Sequence, residues 1–149
     1  KYGDLSNQAS KDYVFDVERF TSFEGDTGPY ILYTIVRLKS ILAKYGEQGG
    51  KVSADALSDA MSESEKALMM QLTMFNTMME NACAELAPHK VCAYIYDLAN
   101  AFNRFYHETK ILAEENEGRK AGLIALLVLT RDVLETCIDV LGFSAPERM

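Results

Sequence analysis

Apolar residues recur three and four positions apart from about residue 29 to residue 142, which predicts four long helices. The first begins after Thr27-Gly28-Pro29, because proline suits the first turn of a helix, and it ends near Gly46. Its predicted buried face consists of Ile31, Ile35, Leu38, Leu42 and Tyr45. A polar and basic row on another face consists of Tyr33, Arg37, Ser40 and Lys44.

The second long helix is predicted to begin at Ser62. Ser62-Glu63-Ser64-Glu65 is a capping box, in which the serine hydroxyl accepts from the Glu65 amide while the Glu65 carboxylate reaches back. Six of the seven methionines lie between Met61 and Met79, and we expect them to fill the core; an adaptable binding surface is the alternative. The predicted apolar face consists of Leu68, Leu72, Phe75, Met79, Ala82 and Leu86.

Two further helices complete the bundle. Pro88 opens the third, and the fourth follows a loop at residues 113–118 and stops at Gly142. The fourth is apolar over so wide an arc that we expect it to be the most buried helix, with Arg131 paired or reaching outward. The third is predicted to bury Val91, Ile95, Leu98, Phe102 and Phe105 and to expose Asn100, Asn103, Arg104, His107 and Lys110.

Residues 1–28 follow a different pattern. Tyr13–Val17 alternates weakly, and Phe23–Pro29 is rich in loop-forming residues. This stretch is too short and too polar to form a core alone. We therefore expect an extended segment that ends an upstream domain, an expectation with which Lys1 in place of a methionine agrees.

Composition narrows the class of protein. The chain has 149 residues, of which 48% are hydrophobic and 25% charged, as in one globular domain. Its longest apolar run, Ala121–Leu129, is far shorter than the ~20 residues that cross a membrane, and no signal segment opens the chain. Three cysteines without a C-x-x-C pair predict a reducing, cytoplasmic location.

The sequence pattern gives little support for a catalytic site or a metal site. His89 and Cys92, with Cys83 before them, form a single candidate ligand pair, whereas a zinc site needs four ligands. No residue orients a histidine beside a nucleophile, and no glycine-rich loop could hold a phosphate. We predict no metal site and no catalytic residue in this chain.

Charge is unevenly distributed along the chain. The net charge of −7 argues against indiscriminate polyanion binding and against DNA as a partner. Residues 37–51 nevertheless carry a net charge of +3 and residues 89–110 of +1, against −5 for residues 52–88 and −3 for residues 111–149. Tyrosines accompany the positive segments, which would suit stacking on unpaired RNA bases. A solvated helix face is the simpler interpretation of the pattern alone.

Three stretches of the first half occur in an order that resembles a known family. The stretches are Lys1–Ser6, Asp12–Asp16 and Phe23–Tyr30, the last with the pattern F-E-G-x-T-x-P-Y. Together with Tyr33–Arg37, they resemble the part of arginyl-tRNA synthetases that joins the catalytic domain to the anticodon-binding domain. The second half is similar to the helical domain of that family at Ala93–Ala99, Phe105–Tyr106, Arg131–Glu135 and Leu141–Met149.

The resemblance implies an all-α fold, a helical bundle of the class I synthetase anticodon-binding type with an extended N-terminal segment. Residues 1–28 would be the tail of the catalytic domain and a linker, and residues 29–149 the DALR-type domain. The parent enzyme uses ATP and Mg²⁺ to esterify arginine to tRNA, but its two signature motifs have no match here. We therefore expect this chain to be non-catalytic and to need no cofactor of its own. We also expect a monomer that binds tRNA for arginine and contacts neither DNA nor a membrane.

The resemblance also implies site residues. Tyr33 and Arg37 match the family's Y-x-x-x-R, Tyr106 matches a tyrosine facing the anticodon loop, and Met149 matches a C-terminal methionine near that loop. Asn103, His107 and Lys110 are added because they lie beside Tyr106 on the third helix. The chain departs from the family where Y-A-H-A-R becomes Tyr33-Thr34-Ile35-Val36-Arg37.

Two alternatives stay open. The methionine-rich helix could form the groove of a helical protein–protein interaction module without an RNA partner. The chain could also be the anticodon domain of another class I synthetase, although F-E-G-x-T-x-P-Y and the terminal Pro146–Met149 argue against it.

Overall fold

The computed structural model describes all residues from Lys1 to Met149 and contains helices and loops only. Residues 29–142 form the predicted bundle, with short 3₁₀ turns at Ala54–Ala56 and Ile111–Ala113. The seven α-helices are α1 (Tyr2–Leu5), α2 (Val17–Thr21), α3 (Gly28–Glu47), α4 (Glu63–Thr73), α5 (Phe75–Ala84), α6 (Pro88–Glu108) and α7 (Glu117–Val140).

The second predicted helix is divided into α4 and α5. At Met74 the backbone amide bonds to the Gln71 carbonyl three residues back, so the helix tightens into a turn before α5 begins. The predicted start is confirmed, since Ser62 Oγ accepts from the Glu65 amide at 3.2 Å. The Glu65 carboxylate reaches back to the Met61 amide at 2.9 Å.

The core lies where α6 meets its neighbours. α6 packs against α1, α3, α4, α5 and α7, while α7 lies along α3. Every apolar residue predicted to face inward on α3 and α6 is buried, including Phe102 and Phe105 with no exposed surface. α7 is buried on all sides only from Gly122 to Leu127, so the expectation that it is the most buried helix holds for that six-residue stretch alone, and α6 occupies the centre.

The methionine-rich region is less buried than expected. Met61, Met70 and Met74 are exposed, whereas Met69, Met78 and Met79 pack partly against the core. Leu86, predicted on the buried face, is 86% exposed and has a positive φ of 50°. The prediction of core methionines was therefore wrong for half of them, because Met61 precedes α4 and because Met70 and Met74 lie off the buried face that Leu68 and Leu72 form.

Residues 1–28 are not extended throughout, since they contain α1 and α2. Tyr2 is buried in the bundle, and its hydroxyl lies 2.6 Å from Asp26 Oδ1 and 3.1 Å from the Cys92 carbonyl oxygen. Burial, reinforced by Asp26, raises the pKa of Tyr2. Thr27 caps α3 by accepting from the Tyr30 amide. The N-terminal segment is thus part of the folded unit.

A buried ion pair joins α4 to α7. Arg119 donates to Glu65 through Nη1 at 2.6 Å and Nη2 at 2.5 Å, and the Glu65 side chain is 1% exposed. Burial alone would raise the pKa of Glu65. Hydrogen bonds from Arg119 and from the backbone at Met61 more than offset it, so that pKa lies below its usual range.

The C-terminal tail is tied to the bundle by charge. Gly142 ends the fourth predicted helix as expected, with a φ of 79° that favours glycine. Lys39 on α3 bridges Glu147 of the tail at 2.7 Å and Glu135 of α7 at 2.9 Å. Arg131 is paired as expected, with Asp132 at 2.7 Å. None of the helices combines the length and apolar character needed to cross a lipid bilayer.

Candidate nucleic-acid interface

Arg37 lies between two tyrosines at the junction of α3 and α6. Its guanidinium carbon is 4.8 Å from the ring centroid of Tyr33, one turn earlier on α3, and 5.2 Å from that of Tyr106 on α6. Both distances are within the range of a favourable cation–π contact. Arg37 is partly buried, while Tyr33 and Tyr106 are 42% and 36% exposed. The three predicted residues therefore form one structural unit.

Asn103 completes what we call the Arg37 cluster (Tyr33, Arg37, Asn103 and Tyr106). Its side-chain oxygen accepts from Arg37 Nη1 at 2.7 Å. Its amide nitrogen donates to the Tyr30 hydroxyl at 2.9 Å and to Thr34 Oγ1 at 3.2 Å. The Tyr30 hydroxyl in turn donates to Asn100 at 2.7 Å. The amide of Asn103 thus links α6 to three side chains of α3.

A cleft of about 370 Å³ opens beside this cluster, between α3 and the C-terminal end of α6. We call it the α3–α6 cleft. Tyr106 forms its boundary with the Arg37 cluster, and the Tyr106 ring lies at 61° to that of His107. The residues that line the cleft are Ile41, Lys44, Tyr106, His107, Thr109, Lys110, Ile111, Leu112 and Ala113.

The cations of this face are not neutralised within the chain. Arg37, Lys44 and Lys110 form no ion pair, whereas Lys39, Arg119 and Arg131 are each bonded to a carboxylate. Arg37 has one hydrogen bond, from Nη1 to Asn103, so its Nε and Nη2 donors have no partner in the protein. Aromatic surface, unpaired cations and a concave shape thus coincide, and such a face suits an unpaired, anionic chain such as an RNA loop.

The structure brings together six of the seven predicted site residues. Tyr33, Asn103 and Tyr106 each contact Arg37, and His107 and Lys110 line the adjoining cleft. Met149 is exposed at the end of the tail, and the tail's ion pair runs to Lys39 and not to the Arg37 cluster.

Four contributors were missing from the predicted site, namely Tyr30, Thr34, Asn100 and Lys44. Their spacing contained a usable signal. Tyr30, Thr34 and Arg37 lie four and three residues apart on α3, as residues on one helix face do, and Asn100 and Asn103 repeat this on α6. Pairing the two faces required knowing that α3 and α6 are neighbours.

The remaining reactive groups do not form a site. No three side chains of His, Cys, Asp or Glu lie close enough together to hold a metal ion. All three cysteines are free, and burial raises the pKa of the Cys92 and Cys137 thiols to about 12. Both buried thiols are therefore protonated at neutral pH.

The helical bundle thus carries one basic, aromatic face of a kind that suits nucleic acid. The sequence matches the DALR anticodon binding domain over residues 31–149, and the chain belongs to that family. The chain is also similar over its whole length to two proteins named arginine–tRNA ligase. They come from Agathobacter rectalis, at 67% identity, and Alkaliphilus oremlandii, at 53% identity, and the chain spans 25% of each.

Solved structures agree. The fold superimposes on Thermus thermophilus arginyl-tRNA synthetase with a TM-score of 0.88 and 32% identity, over 99% of this chain and 25% of that one. It superimposes on Plasmodium falciparum arginyl-tRNA synthetase with a TM-score of 0.83 and 27% identity, over 99% of this chain and 26% of that one. The predicted all-α fold of the class I synthetase anticodon-binding type is confirmed.

Proposed function

We propose that this chain recognises the anticodon loop of tRNA for arginine, as one part of an arginine–tRNA ligase. The observation that carries the proposal is Arg37, a partly buried cation with no carboxylate partner, set between two half-exposed tyrosines. The identity to arginine–tRNA ligases over the whole chain supports arginine as the amino acid of the parent enzyme.

Recognition would combine stacking with charge. Unpaired anticodon bases stack on the exposed surface of Tyr33 and Tyr106, and Arg37 donates through Nε and Nη2 to a base edge or a phosphate. Lys110 and Lys44 hold the backbone of the loop along the α3–α6 cleft. His107 adds a second aromatic ring to the lining of this cleft, beside that of Tyr106. Met149 would reach the same loop from the tail, as the family resemblance implies.

The other parts of the proposal concern the parent enzyme. Residues 1–28 would lead from its catalytic domain into the bundle. ATP and Mg²⁺ would act in that catalytic domain, so this chain contributes no catalytic residue and needs no cofactor. We further propose a cytoplasmic monomer with neither DNA nor a membrane as partner.

The rival function is a protein–protein interaction module. A groove of about 320 Å³ between α5, the start of α6 and the end of α7 is lined mainly by apolar residues, among them Met79, Leu86 and Val140. Of the three helices that form this groove, only α6 also carries residues of the Arg37 cluster. A module of this kind predicts no affinity for tRNA.

Salt-dependent binding tests the proposal. Arginine tRNA is titrated against the chain at two salt concentrations, and affinity should fall as salt rises because phosphate contacts release counterions. Arg37→Ala should weaken binding by about 1–3 kcal/mol. Lys90→Ala is the control, since it removes one cation about 24 Å from Tyr106 along α6, together with the ion pair of that cation to Glu85.

Wild-type affinity in Arg37→Ala, with the fold intact, would exclude this face as the tRNA site. Equal losses in Arg37→Ala and Lys90→Ala would mean that only total charge matters. If the chain shows no binding even at low salt, the same substitution is tested in the full-length parent. There, Arg37→Ala should raise KM for tRNA and leave ATP-dependent arginine activation unchanged.

A further inference from the structure

Asn103 is better placed to hold Arg37 than to touch RNA. Both of its amide hydrogens have acceptors within the protein, Tyr30 at 2.9 Å and Thr34 at 3.2 Å. Its oxygen already accepts from Arg37 Nη1 at 2.7 Å. A base that accepted a hydrogen bond from the Asn103 amide nitrogen would have to break one of these contacts. The side chain is only partly exposed, so water does not readily replace them.

The direction of these bonds also determines the orientation of the amide. Because the nitrogen donates to two hydroxyl groups, the oxygen is the atom left to face Arg37. Tyr30 is itself held by Asn100 at 2.7 Å, so the group that orients Asn103 is anchored on both helices. The chain of contacts runs from Asn100 through Tyr30 and Asn103 to Arg37.

The guanidinium needs this support. Tyr33 and Tyr106 contact it through their rings, which restrains its position but not its rotation in its own plane. The hydrogen bond to Asn103 is the one directional contact that the protein makes with Arg37. It engages Nη1 and leaves Nε and Nη2, two adjacent donors of the planar fork, for a ligand.

We infer that Asn103 is a positioning residue: it sets the rotation of Arg37 so that Nε and Nη2 are presented together to an acceptor pair on the anticodon loop. This inference rests on the proposed function. It replaces a direct RNA contact at Asn103 with an action through Arg37. Preorganising a planar donor pair raises affinity by lowering the ordering cost of binding.

A double-mutant cycle tests the inference. Asn103→Leu keeps the side-chain size and removes the hydrogen bonds, and it should weaken binding of an arginine anticodon stem-loop about tenfold. In the Arg37→Ala background the same change should have no further effect, because Asn103 acts through Arg37. Asn81→Leu is the matched control, because it makes the same change at an exposed asparagine of α5 that has no hydrogen bond to the Arg37 cluster, and it should bind within about twofold of wild type.

Additive losses in the cycle would overturn the positioning role and indicate a direct contact. Thermal unfolding of each variant separates positioning from a general loss of fold. If Arg37→Ala itself binds as wild type does, the proposed site fails, and a measurement without RNA then decides the role of Asn103.

That measurement is ¹⁵N NMR of the Arg37 guanidinium in the free chain. The bond to Asn103 should slow its rotation, so that Nη1 and Nη2 give separate signals in wild type and in Asn81→Leu. Asn103→Leu should merge them. Separate signals in Asn103→Leu would show that the rings alone fix Arg37 and would refute the inference.

Discussion

At the scale of single residues, Arg37 is the side chain on which the proposed site depends most. A partly buried cation is ordinarily matched with a carboxylate, and most partly buried cations of this chain are, as Lys39 and Arg119 illustrate. Arg37 has aromatic rings and a neutral amide instead. Its positive charge therefore remains available to a ligand from outside the chain.

Tyr106 offers the sharpest prediction at this scale. Tyr106→Ala should weaken binding of arginine tRNA by about 1–3 kcal/mol, because the ring both stacks on a base and covers Arg37. Tyr106→Phe keeps the ring and should stay near wild type. Filter binding of both variants checks this. An equal loss of affinity in the two variants would show that the hydroxyl group, and not stacking of the ring, contributes to binding.

Sequence reasoning found most of these residues but not their arrangement. The resemblance placed Tyr33, Arg37 and Tyr106 in one site, and helical periodicity added Asn103, His107 and Lys110. The hydrogen bonds that join Asn103 to Tyr30 and Thr34 span about 70 positions of the chain, and no local pattern encodes a contact between two helices so far apart.

At the scale of helices, α3 and α6 could be predicted well and the α4–α5 region poorly. α3 and α6 each have one regular apolar face, with a proline in the first turn. The α4–α5 region carries apolar residues on several faces, and nothing in its composition marks Met74 as a turn. Methionine adapts to partly exposed positions as readily as to buried ones, so its spacing is a weak guide to burial.

The ion pair between α4 and α7 gives a prediction at this scale. Glu65→Gln should lower the free energy of unfolding by about 3–5 kcal/mol at neutral pH, because it leaves the mostly buried Arg119 without its partner. Chemical denaturation measures the loss. Glu63→Gln, an exposed acid in the same turn that forms no ion pair, is the control and should change little.

The same pair should make stability depend on pH. Since the pKa of Glu65 is lower in the folded chain, the unfolded chain binds the proton first and stability rises with pH. The contribution is complete above the ordinary glutamate pKa of about 4.3 and is lost as pH falls through the lowered value. Glu65→Gln should remove this component. An unchanged acid dependence would mean that other carboxylates dominate.

At the scale of the whole molecule, net charge and local charge point to different partners. A net charge of −7 disfavours a protein that coats nucleic acid over its whole surface. The Arg37 cluster and the α3–α6 cleft occupy a small part of that surface, where the cations are unpaired. An acidic chain can therefore bind a short RNA loop while most of its surface stays out of contact.

The N-terminal segment changes the picture of the whole chain as well. The sequence predicted a tail and linker in residues 1–28, yet Tyr2 belongs to the core and Lys1 Nζ donates to the Gly142 carbonyl at 2.7 Å. Weakly patterned segments are hard to place from sequence, because their order depends on the surface that receives them. Here that surface is formed by α6 and the tail.

NMR mapping of an arginine anticodon stem-loop on the labelled chain tests whether the Arg37 cluster and the α3–α6 cleft bind the loop. We expect the largest chemical-shift changes at Tyr33, Arg37, Tyr106, His107 and Lys110, with little change at Met79, Leu86 and Val140. Changes concentrated on that apolar groove, or spread evenly over the surface, would contradict it.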